Sequence, residues 1–303
     1  MLNYTKRGIV GILNNPAQSE NSHSSGMVNV VSKLFDADIL THKDNWSEYK
    51  ELIIYHGTNF KPNTFNIIGG INEEILLRAK LLSEYNGNIY SLDGFQLNEF
   101  SIKRKLNLYD NHKHFDVIPL PEKNNLVIGD SHSISVWQDD SYTLSRNDGK
   151  TLHGFLKEQR NLTQYSNIIF YFGNIDVRFH LARQSNPIEA TKELFTRYCE
   201  YASKYNATLV ELLPIEDESR KIPKSGMYKG KPFYGSMELR KEIRKVANQI
   251  MFDSGIPMLT WPSFFVDEKG NLKFEIMEPK QSVHIRPKYY MKENLKQLTL
   301  TLF

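Results

Sequence analysis

Two blocks far apart in the chain, Ile128-Gly-Asp-Ser-His132 and Gln281-Ser-Val-His-Ile-Arg-Pro287, carry a serine and a histidine. A serine hydroxyl becomes a competent nucleophile when an imidazole takes its proton, so Ser131 and His284 are candidates for nucleophile and general base. Ser131 follows the apolar run Leu126-Val-Ile128, and Gly129 permits a tight turn where such a run ends. A serine heading the next segment then lies beside backbone N–H groups able to hold an oxyanion. The plainer reading makes Ser131 a helix N-cap and His284 a hydrogen-bonded surface histidine ahead of Pro287.

A third block, Tyr171-Phe-Gly-Asn-Ile-Asp-Val-Arg-Phe-His180, follows another apolar run. Asp176 and Arg178 read as a pair, or as braces of the loop, rather than as reacting groups. His132 and His180 carry less signal. Asp130, Asp176, His180 and His284 are residue types that suit zinc or manganese, but no close-spaced ligand pair marks a site, so no metal and no cofactor is expected.

For the blocks to meet, each must follow a strand of one open parallel sheet, whose functional residues collect beyond the strands' carboxyl ends. The runs Leu126–Ile128, Ile168–Tyr171, Thr208–Leu212 and Pro257–Thr260 read as such strands. Helical spacing appears at Phe195, Tyr198, Ala202 and Tyr205, and at Leu239, Ile243, Val246 and Ile250. The first half repeats the pattern: runs at Gly8–Leu13 and Leu52–Tyr55, helical spacing at Gly26–Leu34 and at Ile75, Leu76, Ala79 and Leu82, then a further run at Asn88–Ser91. From Asn98 to Asn125 no period holds, which marks a boundary. The expectation is α/β: two Rossmann-like or flavodoxin-like three-layer domains with mainly parallel sheets, residues 1–120 and 121–303, with substrate in the crevice between them.

Two loops add to this. Pro214 to Gly235 is too long and polar for an ordinary connection and reads as a lid or excursion over substrate. Asn14 to Gly26 joins a strand to a helix whose N-terminus suits a phosphate, although it matches neither the dinucleotide nor the Walker pattern. Lys280, Arg286, Lys288, Tyr289 and Tyr290 form a mixed basic and aromatic rim, read as solvated.

The 303 residues carry a formal charge of +3 without a basic arm, so nucleic acid is permitted as a partner but not indicated. The single cysteine, Cys199, excludes an intramolecular disulfide and falls in a helical stretch as a small hydrophobe. No stretch approaches the ~20 apolar residues of a membrane span. A cytoplasmic enzyme acting on a small-molecule or glycan ester, away from membranes, is the expectation.

Together the blocks resemble the SGNH/GDSL hydrolase superfamily and occur in its order over Leu126 to Tyr290, with a smaller match at Asn147-Asp-Gly-Lys-Thr151. The resemblance implies Ser131 as nucleophile, His284 as base, and oxyanion donors from the N–H groups of Ser131, Gly149 and Gly173, with Asn174 as a further oxyanion candidate. Two positions depart from the family. Ile175 stands where an Asn donor belongs and Asn174 comes one place early; Gln281 stands where an Asp belongs, leaving Glu278 as substitute or a Ser/His dyad. A Gly-x-Ile-Asp-x-Arg-x-His block with Asp176, Arg178 and His180 is similar to one subgroup. The implied activity is that of an esterase or acyltransferase. Tyr49–Asn59 with Asn88–Asp93 is similar to the N-terminal half of two-domain glycosyltransferases, including those phages use on their DNA, which makes sugar transfer from a nucleotide the alternative. A third reading keeps the hydrolase shape as a binding protein without turnover.

Overall fold

The computed structural model describes residues 6–11, 23–55, 77, 80–81, 84–92, 116–217, 234–278 and 283–291. Ile75, Leu76, Ala79 and Leu82, most of the loops Asn14–Gly26 and Pro214–Gly235, and Gln281 lie outside the described residues. The chain divides into two compact units, Met1–Pro121 and Glu122–Phe303.

In the first unit, β1 (Arg7–Gly11), β2 (Asp38–Leu40), β3 (Glu51–Tyr55), β4 (Asn88–Leu92) and β5 (Asp116–Ile118) form one sheet in the order β2-β1-β3-β4-β5. Every pairing is parallel. Helix α1 (His23–Phe35) connects β1 to β2, as a parallel pair requires. It buries Val28, Val31, Leu34 and Phe35, a stripe at helical spacing, while Ile9, Leu52 and Ile53 are buried in the sheet.

The second unit repeats the topology. Strands β6 (Asn125–Gly129), β7 (Tyr142–Arg146), β8 (Asn167–Tyr171), β9 (Ala207–Val210) and β10 (Met258–Leu259) run β7-β6-β8-β9-β10, again all parallel. Helices α2 (Leu152–Glu158), α3 (Pro187–Ala202) and α4 (Met237–Asp253) complete the crossovers. Each begins at a side-chain cap: Thr151 accepts from Gly154 N, Asn186 from Glu189 N and Ser236 from Leu239 N. One core joins Leu126, Ile128, Ile168, Phe170 and Leu209 of the strands to Leu152, Phe155, Phe195, Tyr198, Ile243 and Met251 of the helices. Val127 and Ile169, on the opposite face, are buried too, so the central strands read as continuous apolar runs.

The buried stripe of α4 is Arg240, Ile243, Ala247 and Met251, whereas Val246 and Ile250 are only half-buried. Arg240 can occupy the inner face because its guanidinium donates to the Gly235 carbonyl at 2.7 Å, which satisfies a charge that apolar spacing alone would place outside. Cys199 lies in α3, buried, where desolvation pushes its thiol pKa up.

Strand register sets up the site. Gly129 stands opposite Arg146 of β7 and Tyr171 of β8, so three strands end in one row. The order reverses between β6 and β8, the kind of switch point where parallel sheets leave a crevice at their carboxyl ends.

Candidate active site

A Cβ on Gly129 would meet the Tyr171 carbonyl oxygen at 2.2 Å, so only glycine lets β6 close on β8 in this row. Asp130 N donates to that carbonyl at 3.1 Å, and the chain then turns, with Ser133 N and Oγ both donating to the Asp130 carbonyl. The turn leaves Ser131 partly exposed at the strand end. Its carbonyl accepts from Arg146 Nε at 3.3 Å, and Arg146 Nη2 pairs with Asp148 at 2.8 Å.

His284 arrives from the other end of the chain on a short antiparallel pair. Met277 bridges Ile285, Glu278 N donates to the His284 carbonyl and Arg286 N donates to the Ile276 carbonyl, each at 2.9 Å. Buried Ile276, Met277 and Ile285 anchor this pair. Glu278 and His284 are therefore direct cross-strand neighbours on one face.

The side chains line up accordingly. His284 Nε2 lies 2.8 Å from Ser131 Oγ, and His284 Nδ1 lies 3.7 Å from Glu278 Oε2. The first is a hydrogen bond; the second is a charge contact slightly too long to be one. With a proton on Nδ1 facing Glu278, Nε2 is free to accept from the Ser131 hydroxyl.

His132, beside the serine, is buried. Its Nδ1 lies 2.8 Å from Asp130 Oδ1, which also accepts from His132 N, and its Nε2 lies 3.3 Å from the Val283 carbonyl. Its ring centroid is 4.8 Å from that of His284. Burial lowers the pKa of His132, and the Asp130 carboxylate offsets this only in part.

The third block builds the framework beneath. Gly173 takes φ 104°, left-handed backbone that a side chain would strain. Asn174 is fully buried, with Oδ1 accepting from Leu213 N at 3.0 Å and from Arg178 Nη1 at 3.3 Å. This braces two loops, and the Asn174 Nδ2 is buried beside them. Arg178 does not pair with Asp176. It meets both Glu216 oxygens at 3.0 Å and donates to the Asn174 and Pro214 carbonyls.

Asp176 instead accepts from Leu152 N at 2.7 Å at the start of α2, and burial raises its pKa to about 6 against those N–H bonds. His180 is half-buried, and desolvation lowers its pKa. Gly149 sits in the exposed turn after β7 at φ 71°. Among the described residues, no three His, Cys, Asp or Glu side chains converge as a metal site would need, and no helix is long and apolar enough to cross a membrane.

Glu216 and Arg146 carried no sequence signal. Glu216 lies in a polar loop and meets Arg178 only through the fold. Arg146 ends a strand of mixed polarity, and only the pairing with Gly129 brings it to Ser131.

No family model and no curated protein matches this chain. Among solved structures it is similar to a protein described as a platelet activating factor from Streptococcus pneumonia, at 15% identity over 65% of this chain and 92% of that one, with a TM-score of 0.41. It is also similar to a protein described as a lipolytic protein of the G-D-S-L family from Desulfitobacterium hafniense DCB-2, at 13% identity over 58% of this chain and 99% of that one, with a TM-score of 0.38. A third is a lipase/acylhydrolase from Enterococcus faecalis, at 15% identity over 50% of this chain and 88% of that one, with a TM-score of 0.31. None of these three is described as a glycosyltransferase.

Proposed function

We propose that residues 122–303 act as a serine esterase or acyltransferase on a small-molecule or glycan acyl ester. The observation that carries the reading is the 2.8 Å contact of His284 Nε2 with Ser131 Oγ, made between blocks from opposite ends of the unit. Ser131 Oγ attacks the ester carbonyl as His284 takes its proton, and the carbonyl oxygen becomes an oxyanion. Backbone N–H groups of Ser131, Gly149 and Gly173 supply the oxyanion donors. The imidazolium returns its proton to the leaving alcohol, and an acyl-serine remains. Water releases the acid, or a second alcohol takes the acyl group, with His284 again as base. Glu278, 3.7 Å from Nδ1, favours the charged ring during both steps.

A fluorophosphonate tests the reading. It should label Ser131, and Ser131→Ala should end labelling while the fold persists. Ser131→Ala and His284→Ala should each cost about 10⁴-fold or more in turnover of a small acyl ester. Equal labelling of wild type and Ser131→Ala would remove the nucleophile assignment. A folded protein that neither labels nor turns over would favour the binding-protein reading.

A further inference from the structure

We infer that His132 is a positioning residue that sets His284 against Ser131 through its bond to the Val283 carbonyl. The inference rests on the Ser131/His284 reading and adds a third histidine-centred part to it.

The geometry is that of a spacer. The backbone of His132 is joined to Ser131, and the far edge of its ring, at Nε2, meets the carbonyl of the residue before His284 at 3.3 Å. One rigid ring thus refers nucleophile and base to a common point, although they come from distant parts of the chain. The ring is itself fixed. Asp130 holds Nδ1 at 2.8 Å and the His132 N–H at 2.8 Å with one carboxylate oxygen, and Asp130 N is tied to the Tyr171 carbonyl of β8. From sheet to base the connection runs Tyr171, Asp130, His132, Val283, His284.

Both ring nitrogens face acceptors, and a proton on Nε2 completes the bridge to the Val283 carbonyl. The titratable or charged groups around the ring are Asp130, His284, Arg178 and Tyr171. Against His284 the ring also makes a tilted contact, with centroids 4.8 Å apart, which limits how far the base can swing. The Met277–Ile285 pair fixes the strand that carries His284, and His132 fixes its approach to the serine. Small misplacements of a reacting pair are costly, since catalysis depends on alignment within a fraction of an ångström.

Side-chain amides separate the two ends of the ring. In His132→Gln the amide nitrogen falls near the place of Nε2 and can still donate to Val283; in His132→Asn it falls near Nδ1 and cannot; His132→Phe keeps the ring and loses both bonds. With the full chain and p-nitrophenyl acetate, His132→Asn and His132→Phe should lose about ten- to a hundred-fold in kcat with KM changed less than about twofold, while His132→Gln stays within about threefold of wild type. Wild-type kcat in His132→Asn would overturn the inference, as would a loss in His132→Gln equal to that in His132→Asn. Should His132→Phe fail to fold by thermal melting, the contrast between Gln and Asn still decides. Ser131→Ala and His284→Ala run alongside. If either leaves turnover intact, the Ser/His reading falls and takes this inference with it; if both abolish turnover while the His132 variants stay level, only the positioning role falls.

Discussion

The sheet of the first unit runs β2-β1-β3-β4-β5 and that of the second runs β7-β6-β8-β9-β10, one topology used twice in the chain. They differ in where charge is kept. Among the described residues, every buried polar or charged side chain belongs to the second unit, with Asp130, His132, Asn174, Asp176, Arg178 and Glu216 gathered beyond the carboxyl ends of β6, β8 and β9. The ion pairs at the starts of β1 and β3 in the first sheet, Arg7–Glu51 and Lys6–Glu48, face solvent on at least one side. Burying charge costs free energy that a fold does not recover as stability. A sheet that concentrates such groups at one end is using them to hold a constellation in place, which strand order alone does not specify.

The largest expected effect tests that concentration at its deepest point. The Arg178 and Glu216 side chains are 1% and 0% exposed. Glu216→Gln leaves the guanidinium buried without its counter-charge, and should cost about 3–5 kcal/mol in chemical denaturation. The thermal transition of the second unit should fall by roughly 10 °C. A loss below ~1 kcal/mol would place this pair with surface pairs and erase the contrast between the units.

Asp176 gives the contrast a pH signature. Its folded pKa is raised to about 6 by burial, against an unfolded aspartate near ~3.9. The folded state therefore binds the proton more tightly, so this group's contribution falls as pH rises between those values. The cost is absent below the unfolded pKa and complete above the folded one. Asp176→Asn removes it. Measured against wild type, the variant should gain on the order of 3 kcal/mol in relative stability between about pH 4 and pH 7. A difference that stays flat with pH would show that the carboxylate is not held in this way.

Glu278→Gln asks whether charge at the same end reaches the chemistry. At 3.7 Å the carboxylate acts on the imidazolium by charge and does not hold the ring by a hydrogen bond. The amide should therefore cost less than the ~10⁴-fold of a fully hydrogen-bonded triad, about ten- to a hundred-fold in kcat. Unchanged turnover in Glu278→Gln would reduce the site to the Ser131/His284 pair.

Much of this arrangement was legible because strands and chemistry coincide. Leu126–Ile128 and Ile168–Tyr171 are apolar throughout, as strands buried on both faces must be, and Gly129 and Gly173 mark the turns that follow. Strand β7 was not legible: Tyr142-Thr-Leu-Ser-Arg146 lies at the sheet edge, where polar residues are tolerated and the apolar signal fades. Ser131 and His284 could be singled out by type and order, whereas their 2.8 Å contact depends on the Ile276–Arg286 strand pair, which composition does not reveal. The Arg178 partner was not legible for a related reason. Asp176 is close in sequence, but at the start of α2 its carboxylate meets unbonded N–H groups, and Arg178 turns to Glu216.

The smallest effect is expected in the first unit, and it completes the comparison. Arg7 and Glu51 are opposite residues of β1 and β3, with Nε and Oε2 2.5 Å apart, and their side chains are 42% and 16% exposed. Water already solvates the arginine, so the pair gains little by meeting and leaves little uncompensated when broken. A double-mutant cycle of Arg7→Gln and Glu51→Gln should return a coupling of about 0.2–1 kcal/mol. Raising the salt concentration should shrink it, because an exposed pair is screened. Acyl-ester turnover should not change in either single variant, since neither residue belongs to the Ser131 constellation. The short contact makes this a demanding comparison: Arg7 Nε approaches its partner more closely than Arg178 Nε approaches Glu216. If distance set the energy, the surface pair would be the stronger one. A coupling near the Glu216→Gln loss would mean that burial is not what separates the two sheets; a small, salt-sensitive coupling would mean that it is.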